Sequence, residues 1–256
     1  MILAIVQARV SSSRLPGKVL KNILDKPMIV HQIERIKNSK LIDKVILATS
    51  NTASDDELAE VCSKYGIETY RGNLDNVLER FYKCAHLYQA DHIVRLTGDC
   101  PLIDWEIIDQ TIDLHLQSDN DYTSNTLEPT YPDGLDVEVI RFNSLLTTYR
   151  SAVLPSEKEH VTPYIYNHRN KFKVGCLKND RDLSYLRWTV DEKEDFEVIK
   201  KVYENLLLSK DKFVLKDILE FFDKNQDLNK INSCFVRNEG MLKSLKEDKD
   251  FRKREI

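Results

Sequence analysis

Glycine and proline are scarce, at 7 each in 256 residues. So few backbone breakers exclude a linker-dominated, collagen-like or low-complexity chain. No glycines stand in the GxGxxG spacing, which sets aside the turn that binds dinucleotides in Rossmann domains. The 5 cysteines, Cys62, Cys84, Cys100, Cys176 and Cys234, are widely separated and form no CxxC pair. Their spacing argues against a zinc knuckle and a disulfide framework and suits a reducing compartment. No apolar run approaches the roughly 18 residues that span a bilayer. The opening MILAIVQARV has no basic region ahead of its short apolar run. The chain therefore reads as cytoplasmic, with no signal peptide and no membrane segment. An excess of one charge is missing too: 38 basic against 42 acidic residues give a net charge of −4. That excludes a global attraction to nucleic acid or anionic lipid. An anionic ligand must then be held by a local cluster of donors.

What is present is an alternation of short apolar runs with segments of helical period. Residues 2–6, 44–49, 67–70 and 92–96 read as strands, the first of them apolar throughout, as a strand covered on both faces should be. Between them the spacing predicts helices over 27–37, from Ser54 to Lys64, after Asp75, and over 105–116 behind Asp104. Ser54 to Glu57 has the capping-box pattern, Gly66 stops that helix, and Asp75 and Asp104 serve as caps. Further on, 137–140, 172–177 and 186–190 read as strands, and 142–152, 193–207 and 214–224 as helices. Repeated strand–helix–strand units imply an α/β fold with a mostly parallel sheet and helices on both faces. The main domain is expected over residues 1–210, with a helical extension over 211–256. The charged ending LKEDKDFRKREI reads as a solvated terminal helix or frayed tail in preference to an interaction tail.

The segment from Ala8 to Lys18 follows the first strand and carries three cations, Arg9, Arg14 and Lys18, with three hydroxyls, Ser11, Ser12 and Ser13. A polyphosphate needs cations, hydroxyls and converging backbone N–H groups, and this loop offers all three. It is not a Walker A motif, because Val19 follows Gly17-Lys18 and the earlier glycine is missing. A solvated surface loop is the other reading of the same residues. Asp99, after Thr97-Gly98, and Asp191, after Val190, each stand at the end of an apolar run. On a parallel sheet such positions face the ligand crevice. Two carboxylates with phosphate oxygens and water suit Mg²⁺. Each aspartate taken alone also fits a helix cap or turn.

IVQARVSSSRLPGKVL, TGDCPLID and RWTVDEKEDFEVI resemble the motifs of the cytidylyltransferases that make CMP-activated acidic sugars. These are the acylneuraminate and 3-deoxy-manno-octulosonate enzymes, and the branch most resembled is that of the spore-coat polysaccharide cytidylyltransferase-like proteins. The resemblance covers roughly residues 1–245. It implies a Rossmann-like nucleotide-diphospho-sugar transferase fold and transfer of CMP from CTP to a sugar acceptor, with Mg²⁺ on Asp99 and Asp191. Ala8, Arg9, Ser11, Ser12, Ser13, Arg14, Lys18, Thr97 and Gly98 would then bind nucleotide, with Arg14 and Lys18 catalytic beside the two aspartates. Arg71, in YRGNLDNVLER, would lie near the base. Asp133, Asp136 and Glu138 in YPDGLDVEV, with His160 and Arg187, would face the acceptor. His160 also reads as a structural histidine, and Arg187 as a satisfied ion pair. The chain departs from the relatives at Thr97, where the octulosonate enzymes carry Gln, and at Glu192-Lys193, where Thr-Pro is frequent. The relatives also imply a homodimer. The main alternative is a glycosyltransferase using Asp119-Asn120-Asp121 as a DxD metal motif; a non-catalytic nucleotide-binding protein and a dinucleotide dehydrogenase are further alternatives.

Overall fold

In the computed structural model, which describes residues 1–237 and 239–254, the order of the fold starts from strand β1, Ile2–Gln7. Its residues Leu3, Ala4, Ile5 and Val6 are all fully buried. Successive side chains on a strand point to opposite faces. Ala4 and Val6 accordingly enter one hydrophobic core and Leu3 and Ile5 the other. The continuous apolar run thus follows from helices covering both faces. β1 pairs in parallel with β4 (Lys44–Ser50) on one side and β6 (His92–Thr97) on the other. β5 (Thr69–Gly72) extends the sheet beyond β4. Beyond β6 lie β8 (Glu138–Arg141), β7 (Tyr122–Ser124) and β9 (Val174–Cys176). The full order is β5-β4-β1-β6-β8-β7-β9, with β8 antiparallel to both neighbours. A separate small hairpin joins β2 (Asn22–Ile23) to β3 (Lys26–Pro27).

Helices α1 (Met28–Ile36), α4 (Trp105–Gln117), α8 (Lys193–Leu206) and α9 (Leu215–Lys224) contribute to the first core. Helices α3 (Val77–Leu87), α5 (Phe142–Ser151) and α7 (Pro163–Asn167) contribute to the second. Helix α2 (Asp56–Lys64) adds Leu58 and Cys62 to the first core. Helix α6 (Pro155–His160) lies against α3 and against the C-terminal helix α10 (Glu239–Arg254). No helix among the described residues is long and apolar enough to cross a membrane. The register sets Gln7 beside Ala48 and Thr97. The loops leaving β1, β4 and β6 therefore emerge at one edge of the sheet.

Several local expectations are corrected. Residues 186–190 do not form a strand; Arg187 makes one isolated bridge to Asp133. Their apolar character reflects burial: Trp188 stacks on Phe222 with centroids 5.6 Å apart. Ser54 does not open a capping box. Asp55 is fully buried and accepts from the Val10 N–H at 2.7 Å and the Ser50 N–H at 3.2 Å, so α2 starts at Asp56. Asn76, not Asp75, caps α3, taking the Glu79 N–H at 3.0 Å. The charged tail is a docked helix, because Asp248 is buried and accepts from both the N–H and the hydroxyl of Ser156.

Gly134 has φ of 106°, and an added Cβ would stand 2.5 Å from the backbone of Trp188 and Thr189. Gly134→Ala is expected to cost about 3 kcal/mol or more through strain and displacement of that segment, read as a lower urea midpoint. A second test concerns His92 and His115, whose ring nitrogens lie 3.0 Å apart. Burial, aided by the charges of His92 and Arg141, pulls His115 down to about 4. The fold thus holds a neutral ring that the unfolded chain protonates first. Its contribution is full above the ordinary value near 6.5 and is lost as pH falls toward 4. The slope reaches up to about 1.4 kcal/mol per pH unit. Urea titrations between those limits should show this loss, and His115→Gln should flatten it.

Candidate functional site

The loop after β1 is folded back on itself. Val10 accepts from Ser12 N–H at 2.8 Å and Gly17 N–H at 3.0 Å, and Gly17 turns at φ 70°. Asp55 anchors the loop from outside through Val10 N–H. The N–H groups of Arg9, Ser11, Ser13 and Arg14 have no hydrogen-bond partner among the described residues. Free N–H groups with nearby guanidinium and ammonium groups are the donors that an anion-binding turn requires. Gly98 is needed where this loop meets β6. A Cβ there would lie 2.7 Å from the Ala8 Cβ, and the Gly98 N–H donates to Gln7 O at 2.8 Å.

Lys18 links the three motif segments. Its Nζ lies 2.9 Å from Asp191 Oδ1, 3.3 Å from Asp99 Oδ2 and 2.7 Å from the Val190 carbonyl. Burial works to lower its pKa, but the charges of Asp99 and Asp191 outweigh that and raise it. For Asp99, burial pushes upward and Lys18 prevails, holding the carboxyl below its usual value. The Asp99 carbonyl accepts from Val190 N–H at 2.8 Å, which brings the 190–191 segment against it. Arg14 adds contacts to Asp191 at 2.9 Å, Glu192 at 3.4 Å and Glu239 at 2.6 Å. The two aspartates thus converge on one cation. Their hard oxygens at the edge of an open cleft suit a divalent ion that takes its remaining ligands from phosphate and water.

Beneath them lies a layer of buried charge. Arg187 forks onto Asp195 at 2.9 and 2.8 Å and reaches Asp133 at 3.3 Å and Asp191 at 3.4 Å. Arg237 holds Asp136 at 2.7 Å and approaches Asp133 at 3.7 Å. Burial, opposed by Arg237 and reinforced by Asp133, Glu138 and Asp99, lifts Asp136 to about 7. Glu138 takes hydrogen bonds from Tyr122 at 2.6 Å and Thr162 at 2.7 Å and pairs with Arg95. Its oxygens are occupied, so it forms the floor of the cleft and does not offer a free carboxylate. His160 Nε2 lies 2.9 Å from the Ser244 hydroxyl.

These groups border a cleft of about 1390 Å³. Ala8, Arg9, Ser12, Ser13, Arg14, Lys18, Thr97, Gly98, Asp99 and Asp191 line it, as do Asp133, Asp136, Glu138 and His160. Ser11, Arg71 and Arg187 are outside its lining. Arg71 instead binds the carbonyls of Ser50 and Thr52, each at 2.9 Å, and the Asp56 carboxylate. Arg80 enters the cleft, buried enough that its pKa falls to about 10. Its signal in the sequence is a charge on the apolar stripe of α3 with Val77, Phe81 and Cys84. Asp55, Arg237 and Glu239 carried no comparable signal, since each meets its partner through distant segments. The DxD alternative finds no support. Asp119 pairs with Arg141, and Asp121 is bonded to Ser144 and the Lys173 N–H. Neither lines the cleft.

A mostly parallel sheet with a cationic loop after β1, one carboxylate just beyond β6 and a second, Asp191, brought beside it is the framework of a nucleotidyltransferase. A cytidylyltransferase from Leptospira borgpetersenii has the same fold, with a TM-score of 0.86 and 34% identity over 92% of this chain and 99% of its own. The spore coat polysaccharide biosynthesis protein SpsF of Bacillus subtilis is 36% identical over 79% of this chain and 86% of its own. A 3-deoxy-manno-octulosonate cytidylyltransferase of Geobacter metallireducens is 37% identical over 43% of each chain. The cytidylyltransferase family model matches residues 3–245, and the chain belongs to that family. It is an enzyme of the class that transfers CMP from CTP.

Arg187→Met removes the countercharge of Asp133, Asp191 and Asp195 together. It is expected to cost about 3–5 kcal/mol, read by urea unfolding. Arg187→Lys should recover only part, because an ammonium cannot reproduce the fork on Asp195.

Proposed function

We propose that this enzyme transfers CMP from CTP to an acidic, nonulosonate-like sugar, using Mg²⁺ and releasing pyrophosphate, in the synthesis of a cell-surface polysaccharide or glycan. The observation that carries the reading is the convergence of Asp99 and Asp191 on Lys18 beside the serine-rich turn. Arg9, Arg14, Lys18 and the free N–H groups of the turn bind the triphosphate. Ser12 and Ser13 supply hydroxyls, and Ala8 and Gly98 allow the backbone to lie close. Arg80 and the neighbouring segment from Asn73 to Val77 bound the nucleoside side, a place the resemblance gave to Arg71. Asp99 and Asp191 would hold Mg²⁺, which when bound offsets charge building on the phosphates. The acceptor oxygen attacks the α-phosphorus in line as the bond to pyrophosphate breaks. Lys18, steadied by the Val190 carbonyl, keeps a positive charge beside that leaving group. Asp133, Asp136 and His160 lie on the acceptor side, Asp133 held by Arg187, Asp136 by Arg237 and His160 against Ser244, with Glu138 on the floor. The acidic acceptor is supported by the octulosonate relatives, and the polysaccharide pathway by the spore-coat relative. Five free cysteines suit a cytoplasmic location.

Asp99→Asn should lower pyrophosphate release by about 10³-fold while leaving the circular dichroism spectrum unchanged. The assay pairs a panel of nucleoside triphosphates with a panel of acidic sugars. Near-normal turnover by the variant would sink the metal assignment, and preference for another triphosphate would sink the choice of CTP.

A further inference from the structure

One wall of the cleft is built from α6, α7 and the C-terminal helix α10, whose first residue, Glu239, reaches Arg14 of the triphosphate turn. Lys158, Tyr166 and Arg169 line it from one side and Met241, Lys243 and Glu247 from the other. Helix α10 is held there by buried polar contacts. Asp248 takes the N–H and hydroxyl of Ser156 at 2.9 and 2.6 Å. Ser244 donates to Glu159 at 2.7 Å and lies 2.9 Å from His160. As numbers rise from Ser156 to His160 their partners fall from Asp248 to Ser244, so the helices run antiparallel. Lys158 and Lys243 are sequence neighbours of the Glu159–Ser244 contact, one on each helix.

The cations of the cleft differ in how far they are already neutralised. Arg14 touches three carboxylates, Lys18 two, and Arg95 is paired with Glu138. Lys158 and Lys243 line the same cleft and, like Arg9, Arg80 and Arg169, make no ion pair among the described residues. Glu247, one turn beyond Lys243, lines the same wall without pairing with it. Two ammonium groups without a countercharge, one on α6 and one on α10, offer a place for a second anion. Glu159 and Glu247 beside them can accept from sugar hydroxyls.

We infer that Lys158 of α6 and Lys243 of α10 together bind the carboxylate of the acceptor sugar, so that the C-terminal helix supplies half of the acceptor subsite. This rests on the acidic-acceptor reading above. It gives the docked helix a role in substrate choice: acceptor selectivity resides in residues that the charged tail brings to the cleft. The half-buried Lys158 gains more from a carboxylate than the exposed Lys243, because less water screens it. An uncharged acceptor gains nothing from this pair.

The test measures initial rates of pyrophosphate release at saturating CTP. N-acetylneuraminate and 3-deoxy-manno-octulosonate are compared with their C1 amides, which keep the ring and lose the charge. For whichever acid the wild type uses, Lys243→Met and Lys158→Met should each raise the acceptor KM by about tenfold. KM for CTP should hold, and the preference for acid over amide should shrink by the same factor. Lys243→Arg should retain most of that preference. Asp248→Ala, which frees α10 without removing a charge from the cleft lining, should lose acid preference as Lys243→Met does. An unchanged acid KM in both Met variants, or an equal loss on acid and amide, overturns the inference while leaving the acidic acceptor standing. If the wild type turns over neither acid, the acceptor reading fails and the inference fails with it.

Discussion

Lys18 holds the chemistry of this protein together by a single ammonium group. It reaches a carboxylate at the end of β6, a second carboxylate about ninety residues later, and the carbonyl preceding that second group. Two acids this close in a partly buried cleft repel each other unless a cation lies between them. The lysine supplies that cation in the free protein. The same electrostatic requirement makes the spot suitable for a divalent ion once a triphosphate brings its own negative charge to the turn. A site balanced in this way is preorganised for charge that arrives with substrate, which is the arrangement that most favours phosphoryl-type transfer.

The balance extends below the cleft. Arg187 neutralises Asp195 and Asp133 and contacts Asp191, while Asn232 caps the cluster by donating to the Arg187 carbonyl and to Asp195. Buried ions of this kind are costly to assemble and costlier to break singly. They fix the position of the 187–195 segment, which is not paired as a strand. Gly134 lets the backbone of that segment pass within van der Waals distance of the loop before β8. Charge pairing, one close backbone approach and separate backbone bonds from Trp188 N–H to the Asp133 carbonyl and from Val190 N–H to the Asp99 carbonyl therefore locate Asp191 in place of a continuous ladder.

The C-terminal segment engages the same centre repeatedly. Arg237 pairs with Asp136, Glu239 with Arg14, and Ser244 with His160. A tail composed mostly of charge finds a defined place because buried Asp248 accepts from Ser156 and the Ser244 hydroxyl donates to Glu159, both on α6. The polar contacts of Asp248 and Ser244, and not a large apolar face, dock it.

Much of the parallel half of the sheet was legible because its determinants are local. The run from Leu3 to Val6 needs cover on both faces, and the helical spacing of Met28, Ile29, Ile33 and Ile36 gives a face that supplies it. The serine-rich turn and the aspartates at 99 and 191 stood out by residue type and position after apolar runs. Arg80 stood on the apolar stripe of α3, but tertiary structure decided that it enters the cleft while Arg71 turns to the carbonyls of Ser50 and Thr52. It also made Asp55 an anchor for the turn, occupied the Glu138 carboxylate, and brought the charged tail to the cleft. Periodicity reports which residues must leave water. Which buried charges meet depends on contacts between segments far apart in the chain, and those contacts leave no local pattern.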